Sequence, residues 1–401
     1  MTVERLRIAM LSVHSCPVGK IGSRDTGGMS IYIRELAHEL GARGHLVDIY
    51  TRAHDPIDDQ ILELSENVRV IHLQVGDVEY MDKLVLYAYL ANMACSMENF
   101  RKNNGLQYDV LHSHYWLSSW LGRYIQVWWN TPHVTMFHTL GAVKNSIGIG
   151  EDEPDLRIVT ERELVRDCDL VIAATEQEKR DLIRYYGASS QKTSVVPCGV
   201  NMNLFQRMDR ELARRHLGLN GDSIVLFVGR VDPLKGIDRL ITALPRLDTG
   251  HNVKLLVVGG EEGQSEELRS LSHMLKIEDA ITFVGSVPQD DLPTYYSAAD
   301  VCVMPSFYES FGLVALESLA CGTPVVATRV GIMESVICHG QNGYLVNSNT
   351  PVHLADSIAA ALSRADAHAD SADSIRASVS RFDWSNITDA ILAKYRAVLN
   401  S

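Results

Sequence analysis

The 401-residue chain contains no run of 18 apolar residues, so no segment of it reads as a membrane-spanning helix. Its seven cysteines include no Cys-x-x-Cys pair, which points to reduced, buried thiols rather than a disulfide framework or a redox motif. Basic excess is also lacking: the formal charge is -13, whereas a sequence-nonspecific nucleic-acid binder needs a positive surface. The loop after the first strand-like run carries no Gly-x-Gly-x-x-Gly, which weighs against a dinucleotide. The first residues, Met1 to Leu11, lead straight into that run without the small-residue cleavage site of a signal peptide, so a cytoplasmic protein is expected.

What remains is a composition of 46% hydrophobic and 22% charged residues, that of a soluble globular protein long enough for two cores. Short Val/Ile/Leu runs alternate with helical patterns almost from end to end. Strands are expected at Arg7–Val13, Leu46–Tyr50, Val68–His72, Val110–Ser113, His133–His138, Leu170–Ala174 and Thr193–Val196, and helices at Met29–Gly44, Tyr80–Asn103, Trp116–Trp129 and Thr175–Tyr186. The second half repeats the pattern with strands at Ser223–Val228, Lys254–Val258, Ile281–Val284, Val301–Met304, Pro324–Ala327 and Gly343–Val346. Such alternation implies parallel sheets covered by helices, here two doubly wound α/β domains joined through Cys198–Asp222. The polar stretch Arg364–Asp373 reads as a loop. Ligands of doubly wound sheets bind outside the carboxyl ends of the strands, so the interdomain cleft is the expected site.

Four stretches at such ends carry chemistry. Ser23 to Ser30, with Gly27-Gly28 opening a helix, offers backbone N–H groups and the positive end of a helix dipole to an anion; a plain tight turn is the alternative. Gly229-Arg230, followed by Lys235-Gly236, sets a bidentate guanidinium and a point charge at a strand end, which suits a diphosphate. His138 closes another strand, as a ligand contact or a satisfied polar cap. Glu309 and Glu317 lie eight positions apart, the first ahead of a helix with Ser310 as its expected N-cap and the second inside an apolar helical run. His112 and His114 lack a third metal ligand at convincing spacing, and Asp167-Cys168-Asp169 begins a strand instead of ending one, so neither reads as a metal site.

Taken in order, Gly27-Gly28, His138, Arg230 with Lys235, the Glu309–Glu317 pair and Cys321-Gly322-Thr323-Pro324 resemble the retaining glycosyltransferases of family 4 over nearly the whole chain. The stretches Tyr108 to Ser118 and His138 to Asn145 are similar to the branch of that family acting on inositol phosphate, with sucrose-phosphate synthase as a relative. The resemblance implies the GT-B architecture, two Rossmann-like doubly wound domains facing a deep cleft. Residues 1–200, completed by a C-terminal helix 384–401, would bind the acceptor, and 201–383 the nucleotide-sugar donor. It implies transfer of a hexosyl unit, GlcNAc or glucose, from a UDP-sugar to a phosphorylated polyol or sugar. Arg230 and Lys235 would hold the donor diphosphate with His14, Gly27 and Gly28 beside it. Glu317 would hold the ribose, the backbone of Val287 would face the base, and Glu309 and the carbonyl of His138 would meet the donor sugar. Lys83, Tyr115, Thr139 and Arg157 fall where the family grips an acceptor phosphate. Catalysis then needs no cofactor, while Mg is implied in a non-catalytic role on backbone carbonyls around Tyr296–Ala299 and Thr323. A homodimer is compatible with the resemblance. Ser30 and Lys20-Ile21 depart from the residues usual at their positions.

Three other readings share much of this sequence. A hexosyltransferase acting on a hexose phosphate would use the same cations. A lipid-directed mannosyltransferase using GDP-mannose would need a basic-aromatic patch, for which Trp116, Trp120, Trp128 and Trp129 are the candidates. A non-catalytic nucleotide-sugar-binding regulator would have no need of Arg230, Lys235 and Glu309 together.

Overall fold

The computed structural model describes residues 5–19, 27–55, 57–76, 81–219, 221–248, 250, 252–260, 263–367 and 372–400. Lys20-Ile21 and Ser23 to Thr26 lie outside the described residues. Within them are two sheets. The first is built from β1 (Arg7–Leu11), β2 (Leu46–Arg52), β3 (Ile61–Ser65), β4 (Val68–Leu73), β5 (Val110–His114), β6 (His133–Met136), β7 (Leu170–Ala173) and β8 (Thr193–Val195). The second is built from β9 (Ser223–Val228), β10 (Val253–Val258), β11 (Ile281–Gly285), β12 (Val301–Met304), β13 (Val325–Thr328) and β14 (Gly343–Val346). Strand order is β3-β4-β2-β1-β5-β6-β7-β8 in the first and β11-β10-β9-β12-β13-β14 in the second.

Every ladder is parallel except that of β3 with β4. Central strands such as Ser223–Val228 are buried on both faces, which is why they read as continuous apolar runs. The expected strands all form, several shorter at their carboxyl ends: β1 stops at Leu11 and β6 at Met136, leaving Val13 and His138 in loops. β3 was not expected. It is an edge strand whose first three residues are exposed, turning back through Asn67 at φ 66°. The Arg364–Asp373 loop is corrected as well, because the helix Pro351–Ala367 runs into it and the next begins at Ala372; residues 368–371 lie outside the described set.

The last helix, Trp384–Leu399, starts on an Asp383 cap and presents Ile387, Ile391, Leu392 and Tyr395 as one buried stripe. That stripe packs on the helix Gly28–Ala42, and Tyr395 exchanges a 2.7 Å hydrogen bond with His112 of β5. The chain therefore ends on the layer that covers the first sheet. Of the seven thiols, all unpaired, five are buried and Cys95 and Cys338 are exposed. Among the described residues no helix is long and apolar enough to cross a membrane.

Candidate active site

Each sheet has one place where neighbouring strands lead their connections in opposite directions. In the first sheet β1 lies between β2 and β5; in the second β9 lies between β10 and β12. Such switch points leave a crevice beyond the strand ends. The chain leaving β1, β5 and β6 delivers His14, Tyr115 and His138–Thr139, while that leaving β9 and β12 delivers Arg230 and Phe307–Phe311.

On the second-domain side, Glu309 sits in the loop before the helix Leu313–Ala320. The N-cap is Gly312 and not Ser310: its φ of 105° suits glycine, and a Cβ there would run into Met333. Glu309 Oε1 accepts from Lys235 Nζ at 2.6 Å and from the Ser306 hydroxyl at 2.9 Å. Lys235 is placed by a short 3-10 turn that Asp232 caps and Gly236 ends at φ 66°. The two groups expected at the donor's sugar and diphosphate are therefore each other's counter-ion. Arg230 stands apart, its side chain 53% exposed with, among the described residues, a long 3.5 Å contact to Asp232. Glu317, inside the helix, accepts from the Tyr296 hydroxyl at 2.7 Å, and burial pushes its carboxyl up to about 7.

The two domains meet around this loop. Gly28 lies against Leu313. The Tyr308 phenol reaches across to the backbone of Leu140, beside His138 and Thr139. Arg34 of the helix Gly28–Ala42 donates to the buried amide oxygen of Gln289. Val287 lines a cavity of about 580 Å³ together with Arg34, Glu35, Asn201 and Gln289, so the expected base pocket has walls from both domains.

On the first-domain side, Tyr115 and His138 hold left-handed backbone, φ 76° and 62°. For non-glycine residues this costs about 1–3 kcal/mol each and persists where the surroundings impose it, typically at functional sites. His138 Nε2 pairs with His114 Nδ1 at 2.9 Å, and burial pulls the His138 imidazole down to about 3, so it is neutral at ordinary pH. The His14 ring packs at a tilt against Tyr115, with centroids 4.5 Å apart. Burial, then Lys83 and Arg157, lower its pKa well below the ordinary imidazole value, and its Nδ1 has no partner among the described residues. A buried nitrogen without a partner is costly, and a ligand would satisfy it.

Lys83, Tyr115 and Arg157 line a cavity of about 640 Å³ with Lys144, Glu153 and, from the second domain, Arg230. Thr139 adjoins it through Arg157, whose Nη2 donates to the Thr139 carbonyl at 2.7 Å and its hydroxyl at 2.9 Å. The Arg157 Nε bonds Glu161 at 2.7 Å and its Nη1 bonds Glu153 at 2.8 Å. The guanidinium is 1% exposed; burial opposes its charge, and its anionic neighbours, Glu161 first, outweigh that and raise its pKa. Its plane lies over the Tyr115 ring at 4.7 Å, and Lys83 lies 5.9 Å from the same ring. Burial lifts the Tyr115 phenol to about 12. Lys144, which pairs with Glu153, was missed by motif reasoning, as were Glu153, Tyr308 and the Arg34–Gln289 pair. Only the position of Lys144 one turn into the helix after His138–Gly141 could have signalled it.

The remaining candidates are structural. His112 and His114 spend their Nδ1 atoms on Tyr395 and His138. Asp169 accepts from the His133 backbone N–H at 2.8 Å. Trp116 is buried, Trp120 and Tyr87 rings pack together, and Trp129 stacks on Tyr108 while donating to Glu98; Trp128 alone is exposed. Three of the five carbonyls implied for Mg accept hydrogen bonds: Tyr296 from the Thr323 hydroxyl at 2.6 Å, Ala298 from Arg214 Nε at 3.0 Å, and Thr323 from Ser318 at 3.0 Å. Arg214 already donates to that cluster, and no step here runs through a magnesium ion.

Comparison with known proteins agrees with this geometry. Residues 26–204 match the family described as Glycosyltransferase Family 4, and residues 209–377 match Glycosyl transferases group 1. The chain is 38% identical to a D-inositol 3-phosphate glycosyltransferase of Geodermatophilus obscurus over 98% of its own length and 89% of the relative's. It is 38% identical to the protein of that name from Corynebacterium glutamicum, over 89% and 88% of the two chains. Among solved structures, a sucrose-phosphate synthase from Thermosynechococcus elongatus superposes with a TM-score of 0.90 at 33% identity, covering 99% of this chain and 100% of that one. An Anabaena protein in complex with UDP-glucose shares the fold, with a TM-score of 0.77 at 22% identity over 98% of this chain and 100% of that one. The chain belongs to the family 4 glycosyltransferases and has their GT-B fold.

Proposed function

We propose that this enzyme moves a hexosyl unit from a UDP-sugar, UDP-GlcNAc or UDP-glucose, to a hydroxyl of a phosphorylated polyol such as inositol phosphate, with retention at the anomeric carbon. One observation carries the reading: three first-domain cations, Lys83, Lys144 and Arg157, share one cavity with Arg230 at the meeting of the two switch points. Cations beside the Tyr115 and Thr139 hydroxyls suit an acceptor phosphate, and Arg230 at the same cavity brings the donor diphosphate next to it. The names of the relatives from Geodermatophilus and Corynebacterium support the inositol phosphate class.

In the reaction the bond between the anomeric carbon and the diphosphate oxygen breaks, the acceptor hydroxyl oxygen bonds to that carbon on the same face, and the hydroxyl proton passes to the departing diphosphate. The leaving group carries its own charge, so the residues' main task is to stabilise that charge as it develops. Arg230, Lys235 and the amides at the start of the Gly28–Ala42 helix supply this. Glu309 orients the sugar hydroxyls and Glu317 the ribose. Neutral His138 contributes its carbonyl near the oxocarbenium-like carbon. Tyr308 against Leu140 and Arg34 against Gln289 tie the halves together and exclude water.

Release of nucleoside diphosphate, measured over a grid of donors against inositol phosphates and hexose phosphates, tests the proposal. The expected result is turnover with a UDP-sugar and an inositol phosphate, and none with unphosphorylated inositol. Equal turnover of phosphorylated and unphosphorylated acceptors overturns it. The 0.90 TM-score to sucrose-phosphate synthase favours a second reading, transfer to a hexose phosphate at the same site, and the hexose phosphate rows of the grid decide between them.

A further inference from the structure

Glu153 holds an anion where an anion is expected to bind. Its two carboxylate oxygens are divided between two of the cavity's cations, Oε1 on Lys144 and Oε2 on Arg157 Nη1. Burial works against its charge, and Arg157 and Lys144 outweigh that to keep its carboxyl below the usual range. An acceptor phosphate entering the same cavity would meet this carboxylate as a like charge. We propose that Glu153 is a placeholder for the acceptor's phosphate: its carboxylate neutralises Lys144 and Arg157 in the empty site and swings away when a phosphate takes its place. This rests on the phosphorylated-acceptor reading above and adds to it a residue that sets the charge an acceptor must carry.

The surroundings are built for that exchange. The backbone of Glu153 is clamped by Asn145, whose Oδ1 accepts from the Glu153 N–H at 2.7 Å and whose Nδ2 donates to its carbonyl at 3.0 Å. Only the side chain is left to move, and it is 16% exposed toward the cavity. Arg157 does not depend on Glu153 for its position. Glu161 holds its Nε and Thr139 holds its Nη2, so the Nη1 edge can change partners while the guanidinium stays in place. A neutral acceptor offers Lys144 and Arg157 nothing stronger than the carboxylate they already have. A phosphate dianion does, since it brings more charge and three oxygens to the same pair.

Titration of the full-length protein with inorganic phosphate by calorimetry, with UDP saturating, tests the inference. Glu153→Gln keeps the shape and removes the charge, and its phosphate affinity is expected to rise at least tenfold over wild type. Glu153→Asp, which keeps the charge but shortens the reach, should fall between the two and serves if Glu153→Gln does not fold. A purely structural Glu153 would instead lose phosphate affinity on substitution, and that result, or unchanged affinity in both variants, overturns the inference. If phosphate binds the wild type and both variants alike, only the placeholder role falls. If it binds none of them, the phosphorylated-acceptor reading falls with it.

Discussion

Two arginines face the same cavity from opposite domains and are held in opposite ways. Arg157 is 1% exposed, with Glu153, Glu161 and Thr139 around its guanidinium, whereas the Arg230 side chain is 53% exposed with one 3.5 Å contact. A buried, saturated cation is fixed before any ligand arrives; an exposed one becomes ordered on binding. In the proposed function the first domain thus presents a rigid, internally neutralised wall to the acceptor. In the same reading the second presents, at Arg230, charge that the donor completes. Stability and activity should therefore respond differently on the two sides.

The largest contrast is in folding. Arg157→Met leaves the buried Glu161 without its cation, and breaking a buried pair costs about 3–5 kcal/mol. Denaturant unfolding should show that loss, while Arg230→Ala, at an exposed site, should stay within about 0.5 kcal/mol of wild type. Equal losses would erase the distinction between the two sides. Next comes turnover. Arg230→Ala should lower nucleoside diphosphate release about 10²–10³-fold, the loss typical of one donor to a developing anion, with unchanged stability.

Smaller effects sharpen the comparison within the donor half. The folded-state pKa of Glu317 lies near 7, raised from 4.5, so folding takes up a proton between those values. The stability it contributes is full below about 4.5 and is lost as pH rises through 7. Glu317→Gln, which still accepts from Tyr296, should match wild type at low pH and exceed it at pH ~8 by on the order of 2 kcal/mol. The smallest expected change is at the base pocket. Arg34→Ala removes one cross-domain hydrogen bond and should weaken UDP binding by about 1 kcal/mol, roughly fivefold, as read by calorimetry.

The parallel strands were legible because burial on both faces demands unbroken Val/Ile/Leu runs, as in Ser223–Val228. β3 was not, because an edge strand with Ile61, Leu62 and Glu63 exposed has no such requirement, and it breaks the alternation of strand and helix. Arg230, Lys235 and Glu309 could be picked out because they stand at strand ends, where ligands of such sheets bind. The pairing of Lys235 with Glu309 could not, since it joins loops 74 residues apart. Glu153 and Lys144 carry no motif of their own; their meaning comes from a shared cavity. Tyr308 stands next to Glu309 in the chain, yet its reach to Leu140 depends on how the domains meet. Ser310 as N-cap failed because a left-handed Gly312 starts the helix two residues later.

The most direct measurement is a crossed titration of wild type, Lys235→Ala and Lys83→Ala with UDP and with an inositol phosphate. Lys235→Ala should weaken UDP at least tenfold and leave inositol phosphate unchanged, and Lys83→Ala should do the reverse. If either substitution weakens both ligands alike, the division of the cleft into a donor wall and an acceptor wall is wrong.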